Sequence, residues 1–102
     1  MLREHLPQPG RQEEYQPMVT VVVPMRNEER FIGECLDSLI RQDYPSDRIE
    51  VLVIDGRSED ASRSIVLEKS QGHDFIRLLD NPGRIAPAAL NIGIRNATGD
   101  VI

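Results

Sequence analysis

Short runs of apolar, β-branched residues recur along the chain, each followed by a turn and then by an amphipathic stretch. Positions 18–23 (MVTVVV) and 49–54 (IEVLVI) are nearly continuous in apolar character. That composition suits strands covered on both faces rather than on one. Positions 75–79 form a shorter third run, and Asp100-Val101-Ile102 begins a fourth. Between the first two, Phe31, Ile32, Cys35, Leu36, Leu39 and Ile40 fall on one face of a helix, with Glu34, Asp37 and Arg41 opposite. Pro24 is expected to end the first strand. Asn27 is expected to cap the helix, with the charges of Glu28 and Glu29 suited to its N-terminus. Asp55-Gly56-Arg57-Ser58 turns into a second helix capped by Ser58, with Ala61, Ile65 and Val66 inward and Gln71-Gly72 at its end. Asn81-Pro82-Gly83 is a turn. A third helix then carries Pro87 in its first turn and packs through Ala88, Ala89, Ile92 and Gly93, and Gly99 stands where a C-terminal cap would.

Alternation of buried strands with helices predicts an α/β fold: a Rossmann-like, three-layer α/β/α arrangement around a mostly parallel sheet. Right-handed crossovers put the 18–23 strand at the centre, 49–54 beside it and 75–79 outside that. A chain of 102 residues holds one modest core, so 18–102 reads as one unit. The polar stretch 1–17 reads as a mobile leader. Its Pro7, Pro9, Gly10, Glu13 and Glu14 leave no apolar segment of the signal-peptide kind. No run approaches the roughly 18 apolar residues of a membrane span, so direct membrane insertion by this chain is not expected. The formal net charge is -5 and the basic residues are scattered, which argues against nucleic acid as a partner. Cys35 has no second cysteine to pair with and is expected in the core, and neither His5 nor His73 has a companion at metal-ligand spacing.

In an open parallel sheet, ligands bind beyond the carboxyl ends of the strands. Those ends carry Pro24-Met25-Arg26-Asn27-Glu28, then Asp55-Gly56-Arg57-Ser58-Glu59-Asp60, then Asp80-Asn81, so polar chemistry gathers at one rim. The first turn lacks G-x-G-x-x-G and the chain lacks G-x-x-x-x-G-K-[ST]. Phosphates would therefore be met by Arg side chains and a metal rather than by a glycine cradle.

The runs VTVVVPMRNEERFIGECLDSLIRQDYP, IEVLVIDGRSED and NPGRIAPAALNIGIRNATGDVI, in this order and spacing, resemble the start of the family-2 glycosyltransferases of the GT-A fold. The likeness spans 19–102 and is nearest to the bacterial polysaccharide, succinoglycan-type branch, in which Asp-Gly follows the second strand. It implies an inverting transfer of a sugar from a nucleotide-diphosphate sugar to a saccharide or lipid-linked acceptor, in the cytoplasm or at the cytoplasmic face of the inner membrane. It also implies that Pro24, Arg26 and Glu28 line the nucleotide pocket, although the family more often has Tyr at the place of Arg26. Chemically, a carboxylate can accept both ribose hydroxyls and a guanidinium can lie on a base. Asn27-Glu28 reads also as a helix cap with favourable charge, the weaker of the two readings, and one residue can serve both ends.

Asp55 inherits a base contact by resemblance, with Gly56 where the family commonly has a second acid; the other reading makes it the cap of the following turn. Ser58 reads as a cap rather than a contact. Arg84 would face the diphosphate or stand as a solvated loop residue, and Asn91 would support the pocket wall. The family's D-x-D motif, which holds Mg²⁺ or Mn²⁺, is expected beyond Ile102, together with the acceptor half and the catalytic base. On that reading the chain supplies nucleotide binding without turnover. A competing reading makes it a receiver-type signalling module with Asp55 as phosphoacceptor. That would require acids after the first strand, where Pro24-Met25-Arg26 stands.

Overall fold

The computed structural model describes residues 17–83 and 85–101. Residues 1–16 of the leader, Arg84 and Ile102 therefore lie outside the described residues. The elements run β1 (Val19–Met25), α1 (Ile32–Ile40), a 3-10 turn (Ser46–Arg48), β2 (Ile49–Asp55), α2 (Ser62–Gly72), β3 (Ile76–Asp80), α3 (Ala86–Asn96) and β4 (Asp100–Val101). The strands form one sheet in the order β3-β2-β1-β4, with every neighbouring pair parallel. The expected order of the first three strands is thus observed.

Strand alternation sorts the core into two halves. Val51 and Val53 of β2 face Ile32 and Leu36 of α1 and Val66 of α2, while Leu52 and Ile54 face the other way with Val22 and Ala89 of α3. Every residue of β2 is buried, as its nearly continuous apolar run predicts. Helix α3 approaches β1 closely through Gly93, where an added Cβ would lie 2.5 Å from Val22. The order reverses between β1 and β4, which makes the carboxyl end of β1 the switch point where open sheets bind ligands.

Several local expectations give way to tertiary contacts. Pro24 does not end β1; it pairs in register with Ile54, and Met25 with Asp55. The Met25 carbonyl accepts from the Gly56 N–H. By alternation, the nitrogen of Pro24 then faces away from β2, so its missing N–H takes nothing from the β1–β2 ladder. Asn27 does not cap α1. It sits at φ 53°, the left-handed region that Asn tolerates, and a turn over 28–31 delays the helix to Ile32. Ser58 does not cap α2, which starts four residues later at Ser62. Phe31 and Cys35 are exposed, because α1 turns Ile32 and Leu36 to the sheet and carries those two off its flank; Ala61 is exposed as well. Gly99 does not cap α3, whose cap is Ala97. It is a close approach instead: a Cβ there would stand 2.5 Å from the Met18 carbonyl oxygen.

Candidate functional site

A cleft of about 180 Å³ opens at the carboxyl end of β1, on the side of the sheet that α3 covers. Its walls include Pro24 from the end of β1, Arg26 and Glu28 from the β1–α1 turn, Asn81 from the β3–α3 turn, and Ile85 and Ala89 from the start of α3. Three of the sequence-derived residues are thereby brought together. The helix end in this wall carries no side-chain cap, and Pro87 lies in its first turn. The N–H groups of that first turn give the wall a positive bias that suits an anion.

The lip of the cleft is held by hydrogen bonds between two loops about 30 residues apart in sequence. The Asn27 N–H donates to Ser58 Oγ at 2.8 Å, and Asn27 Oδ1 accepts the Glu59 N–H at 2.8 Å. The Glu28 N–H donates to Ser62 Oγ at 2.7 Å, while Glu29 N–H reaches Asp60 and Glu29 Oε1 accepts from the Ala61 N–H. These bonds fix the backbone of Glu28 while leaving it exposed, and its carboxylate bonds to no other described residue. Asn27 is therefore a brace for Glu28, and its left-handed backbone is the local cost of that placement.

Asp55 stands differently. Its carboxylate is fully buried. Oδ1 accepts from Ser58 Oγ at 2.5 Å, and Oδ2 from Arg63 NH1 at 2.8 Å, with the Ser58 N–H shared between both oxygens. Burial pushes the Asp55 carboxyl up, but the Ser58 and Arg63 hydrogen bonds outweigh it and hold it below its ordinary value. Arg63 NH1 also reaches Asp80 Oδ1 at 2.7 Å, and the two acids raise the arginine in turn. Asp55, Arg57, Arg63, Asp80 and Pro82 line a second concavity on the α2 side of the same rim.

Of the supporting residues, Gly56 is buried behind the lip and Ser58 links Asp55 to Asn27. Asn91 is exposed on α3 and absent from the cleft wall. Two helical steps from buried Ala89 carry it about 200° round the helix, away from the sheet. The wall function expected of Asn91 is met by Asn81, which is 2% exposed. Its Oδ1 accepts the Gly83 N–H, its Nδ2 donates to the Ile85 carbonyl, and its own N–H bonds the Asp55 carbonyl. The sequence carried this signal as a turn motif only. Arg84 falls outside the described residues. Among the described residues, no group of three or more His, Cys, Asp or Glu is placed to hold a metal ion, and no helix is long and apolar enough to cross a membrane.

Comparison with known proteins agrees with this fold. The family profile described as "Glycosyl transferase family 2" matches residues 20–102. A dolichyl N-acetyl-alpha-D-glucosaminyl phosphate 3-beta-D-2,3-diacetamido-2,3-dideoxy-beta-D-glucuronosyltransferase of Methanococcus voltae is 37% identical over 84 residues, covering 80% of this chain and 26% of that protein. The mannosyltransferase PcManGT of Pyrobaculum calidifontis, solved with GDP-Man and Mn²⁺, superposes with a TM-score of 0.78 at 41% identity, over 85% of this chain and 26% of its own. TarS of S. aureus, solved with UDP-GlcNAc, gives 0.72 at 31% identity over 82% and 25%. The chain thus spans about a quarter of the length of these relatives. Nothing in the comparisons supports the signalling alternative, and a phosphoacceptor needs an exposed carboxylate that Asp55 does not offer.

Proposed function

The chain belongs to glycosyl transferase family 2, and on that premise we propose that its described residues are the nucleotide-binding front portion of an inverting glycosyltransferase. The observation that carries this reading is the cleft itself. Pro24, Arg26 and Glu28 converge at the switch point, opposite an uncapped helix N-terminus. In this proposal the Glu28 carboxylate accepts the ribose hydroxyls and Arg26 lies against the base. The start of α3, with Arg84 just before it, faces the diphosphate. The cleft is smaller than the roughly 300–1,000 Å³ of sites that enclose a drug-sized ligand, so it takes part of the donor.

In the proposed reaction an acceptor hydroxyl oxygen attacks the anomeric carbon. The bond from that carbon to the diphosphate oxygen breaks, and its electron pair leaves with the nucleoside diphosphate. The acceptor proton goes to a base outside the described residues. PcManGT was solved with Mn²⁺, and a divalent cation would supply charge neutralisation at the leaving diphosphate. No cluster among the described residues fits it, so its ligands would come from sequence beyond β4. The acceptor would be a saccharide or a lipid-linked sugar, in line with the dolichyl-linked substrate named for the M. voltae relative. The place would be the cytoplasm or the cytoplasmic face of a membrane.

The test is chemical-shift mapping of the 102-residue chain with a nucleoside and its diphosphate. A guanosine or uridine diphosphate should bind with a dissociation constant near a millimolar, about 4 kcal/mol. Losing a charged hydrogen bond costs about 1.5–3 kcal/mol, so Glu28→Ala should take binding below detection. Arg84→Ala should weaken the diphosphate and leave the nucleoside unaffected. Shifts that leave Pro24, Arg26 and Glu28 silent would overturn the assignment.

A further inference from the structure

Asp55 is the acid that the resemblance assigns to the base, yet it has no oxygen to give. It is fully buried, and both of its oxygens are already taken by Ser58 and Arg63. What the rim presents instead is the pair that Asp55 anchors. Arg63 spends NH1 on the two aspartates, Asp55 at 2.8 Å and Asp80 at 2.7 Å. Its Nε and NH2 donate to no other described residue, and the side chain is 41% exposed. Asp80 is 74% exposed, with Oδ2 bonded to no other described residue. A donor edge and an acceptor edge thus stand side by side, fixed by a buried carboxylate behind them.

This pair is close to the proposed ribose site. The Glu28 N–H is held by Ser62 Oγ at 2.7 Å, and Arg63 is the next residue of α2. The cleft and the second concavity adjoin at the ends of β2 and β3: Ile54 and Asn81 line one, and their neighbours Asp55, Asp80 and Pro82 line the other. A nucleoside whose ribose sits at Glu28 can therefore lay its base across those strand ends.

We propose that Arg63 and Asp80, rather than Asp55, read the edge of the nucleotide base, and that they select guanine. This rests on the nucleotide-binding reading above. Guanine offers an acceptor at O6 beside two parallel donors, N1–H and N2–H. The guanidinium meets the acceptor and the carboxylate accepts the two donors, the fork geometry that both groups favour. Uracil offers one N–H between two carbonyls, which leaves one carboxylate site to water and sets a carbonyl against it. Adenine places an amino group where guanine has O6, so a donor would face the guanidinium.

The test is a titration of the 102-residue chain with the diphosphates of guanosine, inosine, uridine and adenosine, followed by chemical shift at Glu28 and at the Arg63 side chain. Inosine differs from guanosine only by lacking the N2 amino group. Guanosine diphosphate should bind about tenfold more tightly than inosine diphosphate, the worth of one hydrogen bond to a charged group. Asp80→Asn, a change at an exposed position that the fold tolerates, should bring that ratio close to one while leaving the Glu28 shifts in place. Equal binding of all four diphosphates at Glu28, or a guanosine preference that survives Asp80→Asn, overturns the base assignment and leaves nucleotide binding standing. No shift at Glu28 with any of them removes both.

Discussion

Glu50 is a buried acid at the second position of β2, and it ties down the turn into β4. Oε1 accepts from Thr20 Oγ1 at 3.0 Å, from the Thr98 N–H at 3.1 Å and from Thr98 Oγ1 at 3.1 Å, while Oε2 accepts from Arg77 NH1 at 3.1 Å. Thr20 Oγ1 in turn accepts the Gly99 N–H at 3.1 Å. Among the described residues β4 pairs with Val19 and Thr20, and the bonds to Thr98 and Gly99 fasten the turn that leads into it. Glu50→Ala strips the acceptor from Thr98 and Thr20 and breaks an ion pair whose acid is buried. Such breaks cost about 3–5 kcal/mol. The low end applies, because Arg77 is 46% exposed and an exposed partner adds at most about 1 kcal/mol. About 3 kcal/mol is a large part of the roughly 5–15 kcal/mol that holds a domain together.

Two readouts check this. Native-state hydrogen exchange at the Thr98 and Gly99 amides should quicken about a hundredfold in Glu50→Ala, since each 1.4 kcal/mol is a factor of ten. Amides of β2 paired to β3 should follow only the global change in urea stability. Glu50→Gln keeps a carbonyl for Thr98 and should lose about half as much. Burial pushes the Glu50 carboxyl up, yet the Thr98, Thr20 and Arg77 bonds outweigh it and hold it below its ordinary 4.5. A depressed folded value means that the stabilisation is complete above about pH 4.5 and is lost as pH falls through the folded value. The gap between wild type and Glu50→Gln should therefore close on acidification below that point. Unchanged exchange at Thr98 and Gly99 in the alanine variant, with an unmoved urea midpoint, would refute the latch.

Ser58→Ala removes the hydroxyl that joins Asp55 to Asn27, so it should cost about 1–3 kcal/mol in urea unfolding and raise the Asp55 carboxyl toward its ordinary value, read by NMR titration. Arg57 is exposed at φ 65°, and Arg57→Gly should leave stability unchanged or raise it by up to about 1 kcal/mol, measured as Tm. Gly93→Ala places a methyl 2.5 Å from Val22, and the forced separation of α3 from β1 should cost about 1–3 kcal/mol by the same unfolding assay. A Tm for Gly93→Ala equal to wild type would mean that α3 packs less closely than this.

The strands and their order were readable because burial on both faces leaves a nearly continuous apolar run, as in β2, and because crossover handedness prunes the arrangements. The rim was readable for the same reason: parallel strands put all their carboxyl ends at one edge. The roles of the rim acids were not. Asn27, Ser58 and Ser62 act across loops about 30 residues apart, and no local rule distinguishes a serine that caps its own helix from one that braces another loop. Glu50 did leave a mark, since a carboxylate inside a buried run needs partners. Naming Thr98 as one of them required the return of the chain to β4. The same holds at the cleft. An acid at the end of a buried strand announces that something holds it. Whether a ligand or an arginine does so depends on α2, eight residues further on, where Arg63 turns back to Asp55 and leaves Asp80 facing outward. Position on the rim is thus a property of the strand pattern, whereas accessibility to a ligand is a property of the partners that the neighbouring helix delivers.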